Sequence, residues 1–117
     1  MLMSREELAL LHKALSVPVR LEILDLIAER PLCVNAITAF LRISQPAVSQ
    51  HLAVLRQAGL VRGNKSGYMV HYSLDRARLQ EFQQAMAGFP GQPNTSPRED
   101  IQETVKIPSS VSTKGDS

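Results

Sequence analysis

Most of the apolar residues in this chain recur at helical spacing, and one stretch recurs at strand spacing. Leu8, Leu11, His12 and Leu15 follow Ser4-Arg5-Glu6-Glu7. Ser4 and Glu7 stand in the relation of a capping box, so the pattern predicts a first helix from about Arg5 to Leu15. Ser16-Val17-Pro18 interrupts it, and Pro18 suits the opening of a second helix. Leu21, Leu24 and Ile27, joined by Ile23, give that helix an apolar stripe over Val19–Glu29, and Arg30-Pro31 ends it. Leu32-Cys33-Val34 is short, apolar and β-prone. Asn35 is expected to cap a third helix with the stripe Ile37, Phe40 and Leu41. A short connection, Arg42-Ile43-Ser44, leads to a fourth helix. There Ser44 is the cap, and Pro46 is tolerated in the first turn because no intrahelical N–H bond is needed. Val48, Leu52 and Leu55 continue the stripe, and Gly59 is placed to end the helix at C′.

From Leu60 to Leu74 the period changes. Val70, Tyr72 and Leu74 alternate with Met69, His71 and Ser73, which is strand spacing. Asn64-Lys65-Ser66-Gly67 reads as a turn, with Leu60–Arg62 as the paired strand. Asp75 is expected to cap a fifth helix from Arg76 to about Met86, with Leu79, Phe82 and Met86 inward. These elements predict a mainly α fold with a small β-hairpin. Two short helices on a tight connection, followed by a hairpin, have the layout of a winged helix-turn-helix: five helices plus a wing.

A length of 117 residues suits one domain with a thin core, which a partner subunit would help to complete. The expected division is a folded domain over 1–87 and a tail over 88–117. The tail carries Pro93, Pro97 and Pro108 with few large apolar groups, so disorder is expected there. No apolar run is long enough for a membrane span and no secretory h-region opens the chain, so no membrane partner and a cytoplasmic location are expected. Cys33 is the only cysteine, which excludes an intramolecular disulfide framework.

Charge changes the picture more than composition does. The formal net charge is only +2, yet no Asp or Glu lies between Glu29 and Asp75. That stretch holds Arg30, Arg42, Arg56, Arg62 and Lys65. A long window that is purely basic is the footprint of a polyanion-binding surface. On the fourth helix, Gln45, Ser49, Gln50, Ala53, Arg56 and Gln57 are left to face outward. Glutamine can bond adenine at two positions, serine can donate or accept, and a small alanine allows close approach to a base edge. Arg42, Arg62 and Lys65 would meet phosphates or the flanking minor groove. Ser44, His51 and Tyr68 complete the candidate DNA-contacting set, and double-stranded DNA is the expected partner. An enzyme is not indicated: the chain has no Gly-rich phosphate loop, serine elbow, metal-hydrolase motif or convergent carboxylate pair.

The run from Leu41 through Ser44-Gln45-Pro46-Ala47-Val48-Ser49-Gln50-His51-Leu52 to Ala58-Gly59-Leu60-Val61 resembles the arsenic- and metal-responsive repressors of the ArsR/SmtB family. Val70-His71-Tyr72 resembles that family's wing, and Ala14–Ile27 its second helix. The resemblance implies a homodimer built from the first and last helices. It also implies binding to an imperfect inverted repeat, with repression released by an inducer.

Many family members sense thiophilic metals through Cys-Val-Cys-Asp at the third helix, but this chain reads Cys33-Val34-Asn35-Ala36. A second group binds zinc through Asp and His pairs on the last helix, and Asp75–Met86 has no histidine. No cofactor is therefore assigned. Cys33 keeps three readings: a small packed hydrophobe, a single-thiol redox or electrophile sensor, or part of a site for a thiophilic metal or metalloid completed by His12 or by the other subunit. Two functional alternatives stay open, a winged helix that docks proteins and a DNA-binding repressor with no effector.

Overall fold

A computed structural model describes residues 3–91 of the chain. The expectation of disorder for the tail falls on residues outside the described ones, apart from the short piece Gly88–Gly91. Met1–Ala87 group into one compact unit, which holds every helix and strand discussed below.

Five helices and three strands follow in the order α1 (Arg5–Ala14), α2 (Pro18–Glu29), β1 (Leu32–Cys33), α3 (Val34–Leu41), α4 (Gln45–Gln57), β2 (Val61–Ser66), β3 (Met69–Leu74) and α5 (Arg76–Ala87). The capping box of α1 is present in full: the Glu7 N–H donates to Ser4 Oγ at 3.0 Å, and the Ser4 N–H donates to Glu7 Oε1 at 2.8 Å. Asp75 caps α5, its Oδ1 accepting from the Arg78 N–H at 3.0 Å. The expected cap of α3 moves by two residues. Cys33 occupies the N-cap, and Asn35 lies inside the first turn.

The core gathers one stripe from each helix: Leu8, Leu11 and Ala14; Ile23, Leu24 and Ile27; Ile37; Val48, Leu52, Leu55 and Ala58; and Phe82, closed by Leu60 and Val61. Two stripes turn differently from the expectation. In α2 the inward position is Arg20, 8% exposed, while Leu21 stands 46% exposed. In α3 Ile37 is buried, but Phe40 is 62% exposed.

The sheet also differs from a bare hairpin. It has three antiparallel strands in the order β1-β3-β2, because Leu32 and Cys33 pair with Tyr72 and His71. Asn64, Lys65 and Ser66 continue β2 and do not form the turn, which is the two-residue link Gly67-Tyr68 between the paired Ser66 and Met69. Gly67 has φ 69°, and a glycine with positive φ at the first of two linking positions is the pattern of a type II′ turn, whose twist matches that of the strands.

Candidate nucleic-acid interface

The segment from α3 to α4 turns on three residues. Arg42 sits in the left-handed region at φ 58° and ψ 41°, and its N–H donates to the Thr38 carbonyl at 2.7 Å. The chain then enters Ser44, whose Oγ accepts the Ala47 N–H at 3.2 Å. Pro46 lies in the first turn of α4, as its missing N–H allows. At the other end the Gly59 N–H donates to the Arg56 carbonyl at 2.9 Å, and the Leu60 N–H to the Leu55 carbonyl at 3.0 Å. Those two bonds make a Schellman motif with Gly59, φ 83°, at C′. A Cβ on Gly59 would also stand 3.0 Å from Arg78 Nε, a tight contact that the arginine side chain would have to yield to, so the positive φ is what requires glycine.

Held at both ends, α4 buries Val48, Leu52 and Leu55 and exposes Gln45, Ser49, Gln50, Ala53, Arg56 and Gln57. All six of the outward positions expected from the pattern are at the surface. Arg42 is exposed as well. Ser44 has its oxygen committed to the helix cap. His51 is half-buried, its Nδ1 lying 3.2 Å from an Nη of Arg20. Burial, and then the Arg20 guanidinium, hold the imidazole below its ordinary pKa range. His51 is thus packed between α4 and α2, less open than the other members of the candidate DNA-contacting set.

On the wing, Arg62, Asn64 and Lys65 are exposed and Tyr68, at the tip, is 95% exposed. Directly opposed residues of an antiparallel sheet share a face, and alternate residues change face. Leu32, Gly63 and Tyr72 therefore form a row on the face toward the core, where Leu32 and Tyr72 pack. Cys33, Asn64 and His71 form the adjacent row on the opposite face. By the same parity Arg62 and Lys65 leave opposite faces of the hairpin. Gly63 lies at a close approach: a Cβ there would meet side-chain atoms of Tyr72 and Val70 at 3.2 Å, so both would have to give by a few tenths of an ångström. Arg62 is not a bare cation: its Nε donates to Asp75 Oδ2 at 3.0 Å.

Gln45 and Tyr68 line one open cleft together with Cys33 and Asn35, at the N-terminal end of α4. His12 is elsewhere, on α1 against α5, edge-on to Phe82 with ring centroids 5.1 Å apart and its Nε2 3.3 Å from Met86 Sδ. The structure therefore does not bring His12 and Cys33 together within the chain. Among the described residues no group of three or more His, Cys, Asp or Glu could hold a metal ion. A thiophilic metal or metalloid needs more than one soft donor. Within one chain, Cys33, with His71 opposite it and Asn35 after it, does not fit such an ion.

Sequence reasoning missed the arginines that bind helix ends. Arg20 reaches the last carbonyls of α1, Arg76 reaches the Ala28 carbonyl near the end of α2, and Arg78 Nε donates to the Ala58 carbonyl at 3.2 Å. A signal existed for Arg20, because 20, 23, 24 and 27 share one helical face.

Comparison with known proteins agrees with this geometry. Residues 17–62 match the family model described as bacterial regulatory protein, arsR family. The transcriptional repressor SdpR of Bacillus subtilis is 35% identical over 77 residues, covering 66% of this chain and 86% of that protein. The repressor SmtB of Mycobacterium tuberculosis is 44% identical over 64 residues, 55% of this chain, and the matched stretch spans only about half of that relative, 47% of its length. Among solved structures, HlyU from Vibrio cholerae superposes with a TM-score of 0.58 at 31% identity, covering 73% of this chain and 97% of that one.

Proposed function

The chain belongs to the arsR family of bacterial regulatory proteins, a family of regulators and not of enzymes, and on that premise we propose that it is a cytoplasmic, homodimeric repressor that binds an inverted-repeat operator in double-stranded DNA. The observation that carries this reading is the outer face of α4. Gln45, Ser49, Gln50, Ala53, Arg56 and Gln57 are all exposed on a helix capped at both ends, within a stretch that holds no acid from Arg30 to Leu74.

In this mechanism α4 enters the major groove, where Gln45, Ser49 and Gln50 meet base edges. Arg42 meets a phosphate at the entry to α4. The wing enters the neighbouring groove, and because Arg62 and Lys65 leave opposite faces, one cation points to each phosphate wall while Tyr68 leads at the tip. The dimer is supported by α1 and α5, which leave Leu10, Leu79, Ala85 and Met86 only half-covered. No helix among the described residues is long and apolar enough to cross a membrane. Repression is supported by the names of SdpR and SmtB. With a donor set that does not fit a thiophilic metal, the proposal contains no metal step.

The test is selection of a duplex from a random-sequence pool. An inverted repeat should emerge, bound by the dimer with affinity that falls steeply as salt rises. Gln45→Ala or Gln50→Ala should relax the sequence preference, and Lys65→Ala should weaken all sequences alike. Selection of no duplex would overturn the proposal and favour a protein-docking winged helix.

A further inference from the structure

Arg20 is a charged group in a place meant for an apolar one. It heads the inward face of α2, above Ile23, Leu24 and Ile27, and among the described residues no carboxylate pairs with it. A buried guanidinium is costly unless its donors are satisfied. Here Nε donates to the Ala14 carbonyl at 2.8 Å and one Nη to the Lys13 carbonyl at 3.2 Å, both at the end of α1. The other Nη is 3.2 Å from Nδ1 of His51, in the middle of α4. Arginine has no acceptor, so Nδ1 must accept and the imidazole proton must sit on Nε2. One side chain thus joins the end of α1, the face of α2 and the back of α4.

Resting on the proposed DNA reading, we infer that Arg20 is a positioning residue for recognition: through His51 it fixes the rotation of α4 against the α1–α2 pair without touching DNA. An apolar residue would fill the same space but leave that rotation to packing alone. The link works only with a neutral imidazole. A proton on Nδ1 would set donor against donor and bring a second positive charge beside Arg20, the charged group that faces His51 from α2. Loss of the link leaves α4 folded but misaligned, which weakens base contacts more than phosphate contacts.

The experiment uses the full chain and the duplex it selects. Affinity is measured from about pH 8 to about pH 5.5 for the native chain, Arg20→Met, His51→Leu, His51→Asn and the double variant Arg20→Met/His51→Leu, with thermal melts and sedimentation for fold and dimer. Imidazole nitrogen NMR reads the tautomer. We expect an unprotonated Nδ1 at neutral pH. Arg20→Met and His51→Leu should each lose about tenfold in affinity, the worth of one bond to a charged group, and the double variant should lose no more than the worse single. His51→Asn, which offers Oδ1 near the place of Nδ1, should lose less than about threefold and should lack the fall in affinity that the native chain shows toward acid. If Arg20→Met does not fold, the contrast between His51→Leu and His51→Asn decides alone. Native-like binding by His51→Leu, additive losses in the double variant, or a protonated Nδ1 would overturn the inference. A native chain that selects no duplex would instead overturn the proposed function, and the NMR result would still read the Arg20–His51 link.

Discussion

Arg42 is the one non-glycine residue with positive φ among the described residues, and it stands at the entry to α4. A left-handed β-carbon costs roughly 1–2 kcal/mol, and glycine avoids most of that. Arg42→Gly is therefore expected to raise stability by about 1 kcal/mol while lowering affinity for every duplex by a similar factor. A melt and two unrelated duplexes check this; equal affinity before and after the change would remove Arg42 from the interface. Acid sensitivity also belongs to single residues. The Arg78 N–H first, and then Arg62, hold the Asp75 carboxyl below its usual range. Its contribution is present above the unfolded value of about 3.9 and is lost as pH falls through the lower folded value. His51 is also depressed, so the unfolded chain binds its proton first and stability begins to fall below about pH 6.5. Melts across pH should show two steps, the upper one missing in His51→Asn and the lower one in Asp75→Asn.

The elements owe their precision to a few backbone positions. Gly67, at φ 69°, lets a two-residue link close the wing, and the space around it is open. Gly67→Ala meets no neighbour, so its effect is backbone strain alone, about 1 kcal/mol. The expected result is a frayed β2–β3 end, seen by amide exchange, and several-fold weaker DNA binding with α1–α5 intact. Helices were legible from the sequence because caps and stripes agree: Ser4 with Glu7, Ser44 with Pro46, and Gly59 after Ala58. The outer face of α4 followed from the same period. The facing of α2 and α3 did not, because hydrophobicity alone cannot tell Leu21, left in solvent, from Arg20, turned inward and satisfied by carbonyls that belong to α1. The wing was read too short for a related reason. Asn64, Lys65 and Ser66 are turn-forming residues by type, yet the pairing to Val70 and His71 holds them in a strand. The third strand, Leu32–Cys33, depends on a partner about forty residues away in sequence, which no local pattern reports.

At the scale of the molecule, one small core serves every element, and its stripe on α4 is also the support of the reading surface. Leu55 is fully buried. Leu55→Ala is expected to cost about 2–5 kcal/mol, which for a domain of this size takes most of its stability. Chemical denaturation should show it, and the midpoints of the native and variant chains should both rise with protein concentration if a second subunit completes the core. Unchanged melts at every concentration would count against the homodimer. The ion pair between Arg62 and Asp75 has a consequence for how such a molecule meets DNA. Asp75 is a counterion the protein carries for itself, anchored where α5 begins. In the proposed complex a phosphate would exchange with a carboxylate at that position, and fewer ions would be released to the solvent than the number of cations in the groove suggests. The salt dependence of binding would then undercount the phosphates touched, and the freed carboxylate would report to α5 that the wing is occupied.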